Sequence, residues 1–417
     1  MRDKLFYYSN YLILLYAFFL PLNKNIVSII GKVLLVLFFF KKDIKEVFKN
    51  LFKERFFLVF LLLVGYSFFI SLYSLSISYG INYTIKKYLP YFEIFAIAFL
   101  IDKKFIKYAI SAFLAGIFLS EIISYGIFFD LWDIPYNLAH YKEEGDPTPF
   151  MHHTLYSLFL SVGVLIILVT LLKERFKNKK DYLFLFFLVT MSVNLFIIGG
   201  RGGQLAFFIT LFVLVLSSKE KKFLILIPIG VVFFILAYNF SDLFRYRVDL
   251  AINDVKSLIE KFNFCSSWGI RASAWVLTYE MLKEHWLFGL GYGNYVEIMK
   301  NLIKIKFQNF KCSLLPLSTH LHNQYLTMLI NGGILYLILF LWWLYEFFRL
   351  PIKDDYFKKI KLIIGVNFVF LSFVEPVFFQ SWSQYLFIFF TGILLAQYFY
   401  ESFSTYRETS NIGLDKK

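Results

Sequence analysis

Apolar runs of roughly 16–25 residues recur along the whole chain, close to the length a helix needs to cross a hydrocarbon core. They fall near 5–20, 24–40, 56–79, 86–101, 105–129, 151–172, 182–198, 203–217, 223–240, 322–348, 361–376 and 384–400. This pattern predicts an all-α polytopic membrane protein with about twelve transmembrane helices. Composition agrees: only 17% of the 417 residues are charged, against about 25% in a soluble domain. The first run lacks a small-residue cleavage site and ends in PLNKN, unlike a cleavable signal.

The formal net charge of +14 invites a nucleic-acid reading, but its distribution excludes one. Lys and Arg gather in alternate loops, at 41–55, 102–107, 173–180, 217–222 and 349–361. Basic loops stay on the cytoplasmic side, so both termini are expected in the cytoplasm of a multi-pass inner-membrane protein. The expected division is 1–240 for helices one to nine, 241–321 for a large periplasmic loop with two helices, 322–400 for helices ten to twelve and 401–417 for a cytoplasmic tail. The only cysteines, Cys265 and Cys312, both fall in the long loop. A pair confined to a non-cytoplasmic segment predicts a disulfide, with a loop-closure contribution of about 4 kcal/mol.

Three short stretches carry chemistry. In IIGGRGGQLAF (197–207), Arg201 sits among four glycines with no carboxylate within ten residues on either side. A guanidinium at the start of a helix, beside a flexible backbone, fits an anion such as phosphate. A snorkelling arginine is the plainer reading, and it needs no glycines. Arg271 is second, on the second loop helix, sharing a helical face with Trp275 and Thr278. The third is THLHNQYLTMLINGG, read as opening the tenth helix. There His320 and His322 cannot face the same way, and His322 shares a stripe with Leu326, Leu329 and Gly333. His322 is then the candidate general base, with Asn323 beside it. A metal site with His152 and His153 ranks lower because no carboxylate or cysteine cluster accompanies them. The spacing GLGYG (289–293) is read as turns, since no strand precedes it to make a dinucleotide fingerprint.

The segments GGRGGQLAFF (199–208), RASAWVLTYEMLKEHWLFGLGYGNY (271–295) and HLHNQYLTMLINGGILYLILF (320–340) together resemble the O-antigen ligase family. Its relatives include O-antigen polymerases and protein O-oligosaccharyltransferases. The resemblance implies transfer of a glycan from undecaprenyl pyrophosphate to a lipid A–core sugar hydroxyl, without cofactor or metal and with inversion. It implies pyrophosphate binding by Arg201 and Arg271, a general-base role for His322, and substrate contacts from His320 and Asn323. The implied partners are the lipid-linked donor, the lipid A–core acceptor and membrane lipids, with no nucleic acid. Relatives commonly have proline where this chain has Trp286.

A secondary transporter is the alternative from another class, since twelve helices are ordinary there too. Internal repeats are expected of it, and none is visible here. Lys32, Glu93, Glu121, Asn194 and Asn367 lie inside predicted helices and are expected to face the bundle. Lys32 is expected to pair with Glu93 or Glu121, and Glu375 to orient His322.

Overall fold

The computed structural model describes residues 2–133, 146–174, 179–218, 220–306, 314–318 and 320–412. The protein is all-helical, about 80% helix, with no strand among the described residues. Its α-helices in chain order are α1 Arg2–Phe19, α2 Lys24–Phe39, α3 Ile44–Leu51, α4 Arg55–Ser71, α5 Ile77–Tyr88, α6 Glu93–Leu100 and α7 Ile106–Phe128. Then come α8 His153–Glu174, α9 Lys179–Ile197, α10 Arg201–Ser217, α11 Leu226–Phe240, α12 Asp242–Lys261 and α13 Ser267–Leu282. The chain ends with α14 Tyr295–Lys306, α15 Gln324–Arg349, α16 Asp355–Leu371 and α17 Ser381–Ile412.

Every one of the twelve apolar runs holds helix, but the count of twelve spans is not reproduced. Four helices among the described residues are long and apolar enough to cross a membrane, or five if the bent pair α3–α4 counts as one. α9 and α10 are apolar but shorter. The run at 86–101 breaks where Pro90 enters a 3-10 turn between α5 and α6, because proline cannot donate to the helical ladder. What the apolar order does predict is a membrane bundle.

Helix α8 is the hub. It is apolar on all sides and almost wholly buried, as befits a helix surrounded by others. α9 and α10 pack against it, α16 packs against α10, and α17 packs against α6. Helices α13 and α14 carry a smaller core of their own, in which Leu277, Met281 and Met299 meet Leu321, Leu326 and Ile330 at the start of α15. The long loop thus holds three helices rather than the two expected, the third being α14.

Helix α15 is broken at Gly333, whose φ of 67° and ψ of −165° are non-helical. The carbonyls of Ile330 and Asn331 accept instead from the backbone N–H groups of Leu290 and Gly291. In that incoming segment Gly289, Gly291 and Gly293 all have positive φ. The GLGYG stretch is therefore a series of tight turns that fills the gap in a broken membrane helix. This satisfies the backbone polar groups that a break in lipid would otherwise leave unpaired.

Candidate active site

Five pieces of chain meet at one end of the bundle: the start of α8, the start of α10, the start of α13, the loop before α15 and the loop joining α16 to α17. Each piece is locked by its own local chemistry. Asn323 caps α15, its Oδ1 accepting from Leu326 N–H at 3.0 Å, while its Nδ2 donates to the carbonyl of Phe373 at 3.1 Å. Gln324 N–H donates to the carbonyl of Ser372, and Gln324 Oε1 accepts from Phe378 N–H. The loop 372–378 is thereby sewn to the start of α15, and Glu375 is carried to the histidines.

His322 lies before the helix rather than on it, with a left-handed φ of 50°. This corrects the helical stripe expected for it with Leu326, Leu329 and Gly333. Because the backbone reverses here, His320 and His322 converge instead of diverging. His320 Nε2 and His322 Nδ1 each lie 2.9 Å from a different oxygen of Glu375, and the two rings stand 4.2 Å apart edge to face. Gln380 Nε2 adds a third bond to Glu375 at 2.8 Å. Burial alone would push the Glu375 carboxyl up. The hydrogen bonds from His320 and His322 outweigh it and hold the group well below the usual carboxylate range. An ionised Glu375 only accepts, so His322 donates from Nδ1 and keeps Nε2 free as a base. Asn323, by contrast, is buried and spends its amide on the cap and on Phe373. It positions His322 rather than offering a free contact.

The two arginines expected to act together do meet. Arg201 Nη2 donates to Ser267 Oγ at 3.2 Å, and Arg271 Nη1 donates to the same oxygen at 2.9 Å and to the carbonyl of Ser267 at 3.0 Å. Arg201 Nη1 and Arg271 Nε are buried without a hydrogen-bond partner. Among the described residues neither guanidinium has a carboxylate within ion-pair distance. Burial lowers the Arg271 pKa, with Glu375 and Asp254 opposing the shift and Arg201 reinforcing it. Two cations sharing one neutral hydroxyl are unstable unless an anion joins them. Of the residues sharing a helical face with Arg271, Trp275 is exposed and Thr278 is buried.

The glycines around Arg201 are closely packed against neighbouring elements. They let the turn press against protein: Gly200 and Gly203 lie against Ser157 of α8, and Gly202 lies against Leu371 and Val374. A Cβ on Gly199 would stand 3.0 Å from Asp146 Oδ2. That oxygen also bonds His153 Nδ1 at 3.0 Å, and Thr148 Oγ1 donates to the other oxygen. The His152 ring lies tilted against that of His153, 4.0 Å between centres, and takes a 3.4 Å contact at Nδ1 from Thr154 N–H. Burial first, and then the neighbouring His153, bring the His152 pKa down to about 4, keeping the ring neutral.

Sequence reasoning missed Ser267, Gln380, Asp254 and the Asp146–His153 pair. Ser267 alone had a signal, since it lies four residues before Arg271 on one helix. Among the described residues, the set whose ligand atoms could hold a metal is His320, His322 and Glu375, lying within 4.8 Å. Among the described residues no such set forms around His152 and His153. Lys32 has no ion pair among the described residues, and Glu93 accepts instead from Tyr16 at 3.0 Å.

Residues 186–341 match the family model for O-antigen ligase. This segment of the chain is similar to the O-antigen ligase family. The ligase segment contains Arg201, Arg271, His320 and His322, whereas Glu375 and the Asp146–His153 pair lie outside it. An uncharacterized protein of Haemophilus influenzae is 30% identical over 192 residues, 44% of this chain. The match spans 47% of that relative's length, so the chain covers about half of it. The apolar helices indicate a membrane protein, and its matched segment is similar to O-antigen ligases.

Proposed function

We propose that the protein transfers a glycan from undecaprenyl pyrophosphate to a lipid A–core sugar hydroxyl, on the periplasmic side of the inner membrane. The observation that carries this reading is the pair of under-neutralised guanidiniums on Ser267 beside a carboxylate-held imidazole. Arg201 and Arg271 bind the pyrophosphate and stabilise its charge as the anomeric C–O bond breaks. The acceptor hydroxyl gives its proton to Nε2 of His322 as its oxygen forms the new bond to the anomeric carbon. The electron pair of the broken bond leaves with the polyprenyl pyrophosphate. Attack opposite the leaving group inverts the anomeric centre. Glu375 holds the tautomer and charge of His322, and His320 completes the acceptor-side wall. No metal is required, because the leaving group already carries the activation.

Support also comes from the sign of the local charge. Arg201 and Arg271 bring two positive charges to Ser267, and Glu375 accepts from both histidines at 2.9 Å.

The test is a deletion strain carrying wild type or His322→Ala, its glycans followed on lipid gels and its purified protein assayed with and without chelator. The reading expects normal protein level, accumulated lipid-linked polymer, none on lipid A–core, and wild-type activity indifferent to chelator. Single repeats on the core with long chains missing would make the enzyme a polymerase instead. Unchanged products in the deletion itself would end the glycosyl-transfer reading.

A further inference from the structure

His320, His322 and Glu375 each turn one ligand atom toward a common point, and those atoms all lie within 4.8 Å of one another. Ligands about 2.1 Å from a tetrahedral zinc stand roughly 3.4 Å apart, so side-chain shifts of about 1 Å suffice to enclose an ion. The carboxylate is buried while the two imidazoles are 37% and 36% exposed, which puts a fourth ligand and the entry path on the open side. Gln380 Nε2 holds Glu375 from behind at 2.8 Å, the outer-shell bond that a ligating carboxylate normally carries. The donor set also selects the ion. Two imidazole nitrogens with one carboxylate suit zinc or cobalt, whereas magnesium and calcium take oxygen-rich shells. The charge of Arg271 acts on Glu375 and opposes a second cation here. An ion in this place is therefore exchangeable rather than permanently held.

We propose that His320, His322 and Glu375 form a reversible inhibitory site for zinc or a cation of like chemistry. The inhibition rests on the glycosyl-transfer reading, in which Nε2 of His322 takes the acceptor's proton; the binding does not. Without the ion, Nδ1 of His322 carries a proton and donates it to Glu375. Zinc takes the Nδ1 lone pair instead, and the proton moves to Nε2 of the same neutral ring. His320 exchanges in the opposite sense, from Nε2–H to Nδ1–H. No proton is gained or lost and no electron is transferred. With its Nε2 protonated, His322 has no lone pair left for the acceptor hydroxyl. The base is switched off while the arginines remain free to hold the donor.

Purified full-length protein without a histidine tag is freed of metal and titrated with Co2+, a spectroscopic stand-in for zinc, with no donor present. One tetrahedral cobalt site per chain is expected, displaced by Zn2+. In His320→Ala it is at least about tenfold weaker, since losing a ligand costs no less than losing an outer-shell partner. His320→Phe replaces that variant if it expresses poorly. In the transfer assay Zn2+ lowers kcat in proportion to the occupied fraction, with little change in donor KM. Chelator restores the rate, and equal Mg2+ or Ca2+ has no effect. His320→Ala, measured against its own metal-free rate, needs correspondingly more Zn2+ for the same loss. Equal sensitivity of the two proteins would place the metal on the donor's pyrophosphate and overturn the site. An occupied site that leaves kcat unchanged overturns the inhibition, as does activity that appears only with Zn2+. A protein that transfers no glycan with or without metal sinks the glycosyl-transfer reading and the inhibition with it, while the cobalt spectrum still decides the site.

Discussion

At the scale of single residues, Glu375 is where the site is most exposed to change. Its two oxygens hold two imidazoles, and Gln380 secures it from a third side. In Glu375→Gln the charge is gone and one carboxylate oxygen becomes an N–H donor facing an imidazole N–H. The tautomer that leaves Nε2 of His322 free loses its support. A fall in kcat of about a hundredfold with little change in donor KM is expected, the usual scale for a compromised general base. Equal losses in both constants would make Glu375 a structural group only. His152 gives a second prediction, in stability. Its pKa is held at about 4 in the folded protein, below the 6.5 of a free imidazole. The unfolded chain therefore binds the proton first, and stability falls as pH drops from about 6.5 toward 4. Glu375, also depressed, begins to lose its contribution only as pH falls through the usual carboxylate range, so most of the His152 window lies above it. His152→Asn, which can still cap α8, is expected to flatten part of the fall in melting temperature between pH 6.5 and 4. An unchanged pH curve would remove His152 from the account.

At the scale of elements, the broken helix is the feature on which the site depends most. Gly333 takes φ of 67° with ψ near 180°, a region essentially reserved for glycine, and a Cβ there would collide with the Leu287 carbonyl. Gly333→Ala is expected to cost at least about 1–3 kcal/mol, seen as a lower melting temperature in detergent. It should also displace the 286–293 segment. A wild-type melting curve would mean that the break is not held by this contact. The same elements explain what could be read in advance. Helix α13, which the structure caps with Ser266, and α10, which starts at Arg201, both obey local rules of capping and apolar spacing. The meeting of Arg201 with Arg271 was legible only as two lone cations on one side of the membrane. The joint role of His320 and His322 was hidden because it depends on a left-handed residue before α15, which non-glycine sequence does not signal. Asp146 and Asp254 reach the site only through tertiary packing, and no spacing rule links them to it.

At the scale of the whole molecule, side and sequence are joined by the cysteines. The basic loops predict that the 241–321 segment faces away from the cytoplasm, in an oxidising compartment. In the structure Cys265 is disulfide-bonded, and Cys312, the partner expected from sequence, lies outside the described residues. The chain has two cysteines in all, so thiol labelling can report orientation without mutating any other position. Intact cells treated with a membrane-impermeant maleimide should give no labelled protein before reduction. After mild reduction with an impermeant phosphine, and with access through the outer membrane, both thiols should label without lysis. Labelling that appears only after the inner membrane is ruptured would put the segment in the cytoplasm. The arginines and histidines would then have no access to a periplasmic acceptor, and the reaction proposed for them would fail with the topology. Labelling of intact cells before reduction would leave the topology standing and remove the disulfide. The loop helices would then hold Arg271 over α15 by the Leu277–Met281–Ile330 core alone.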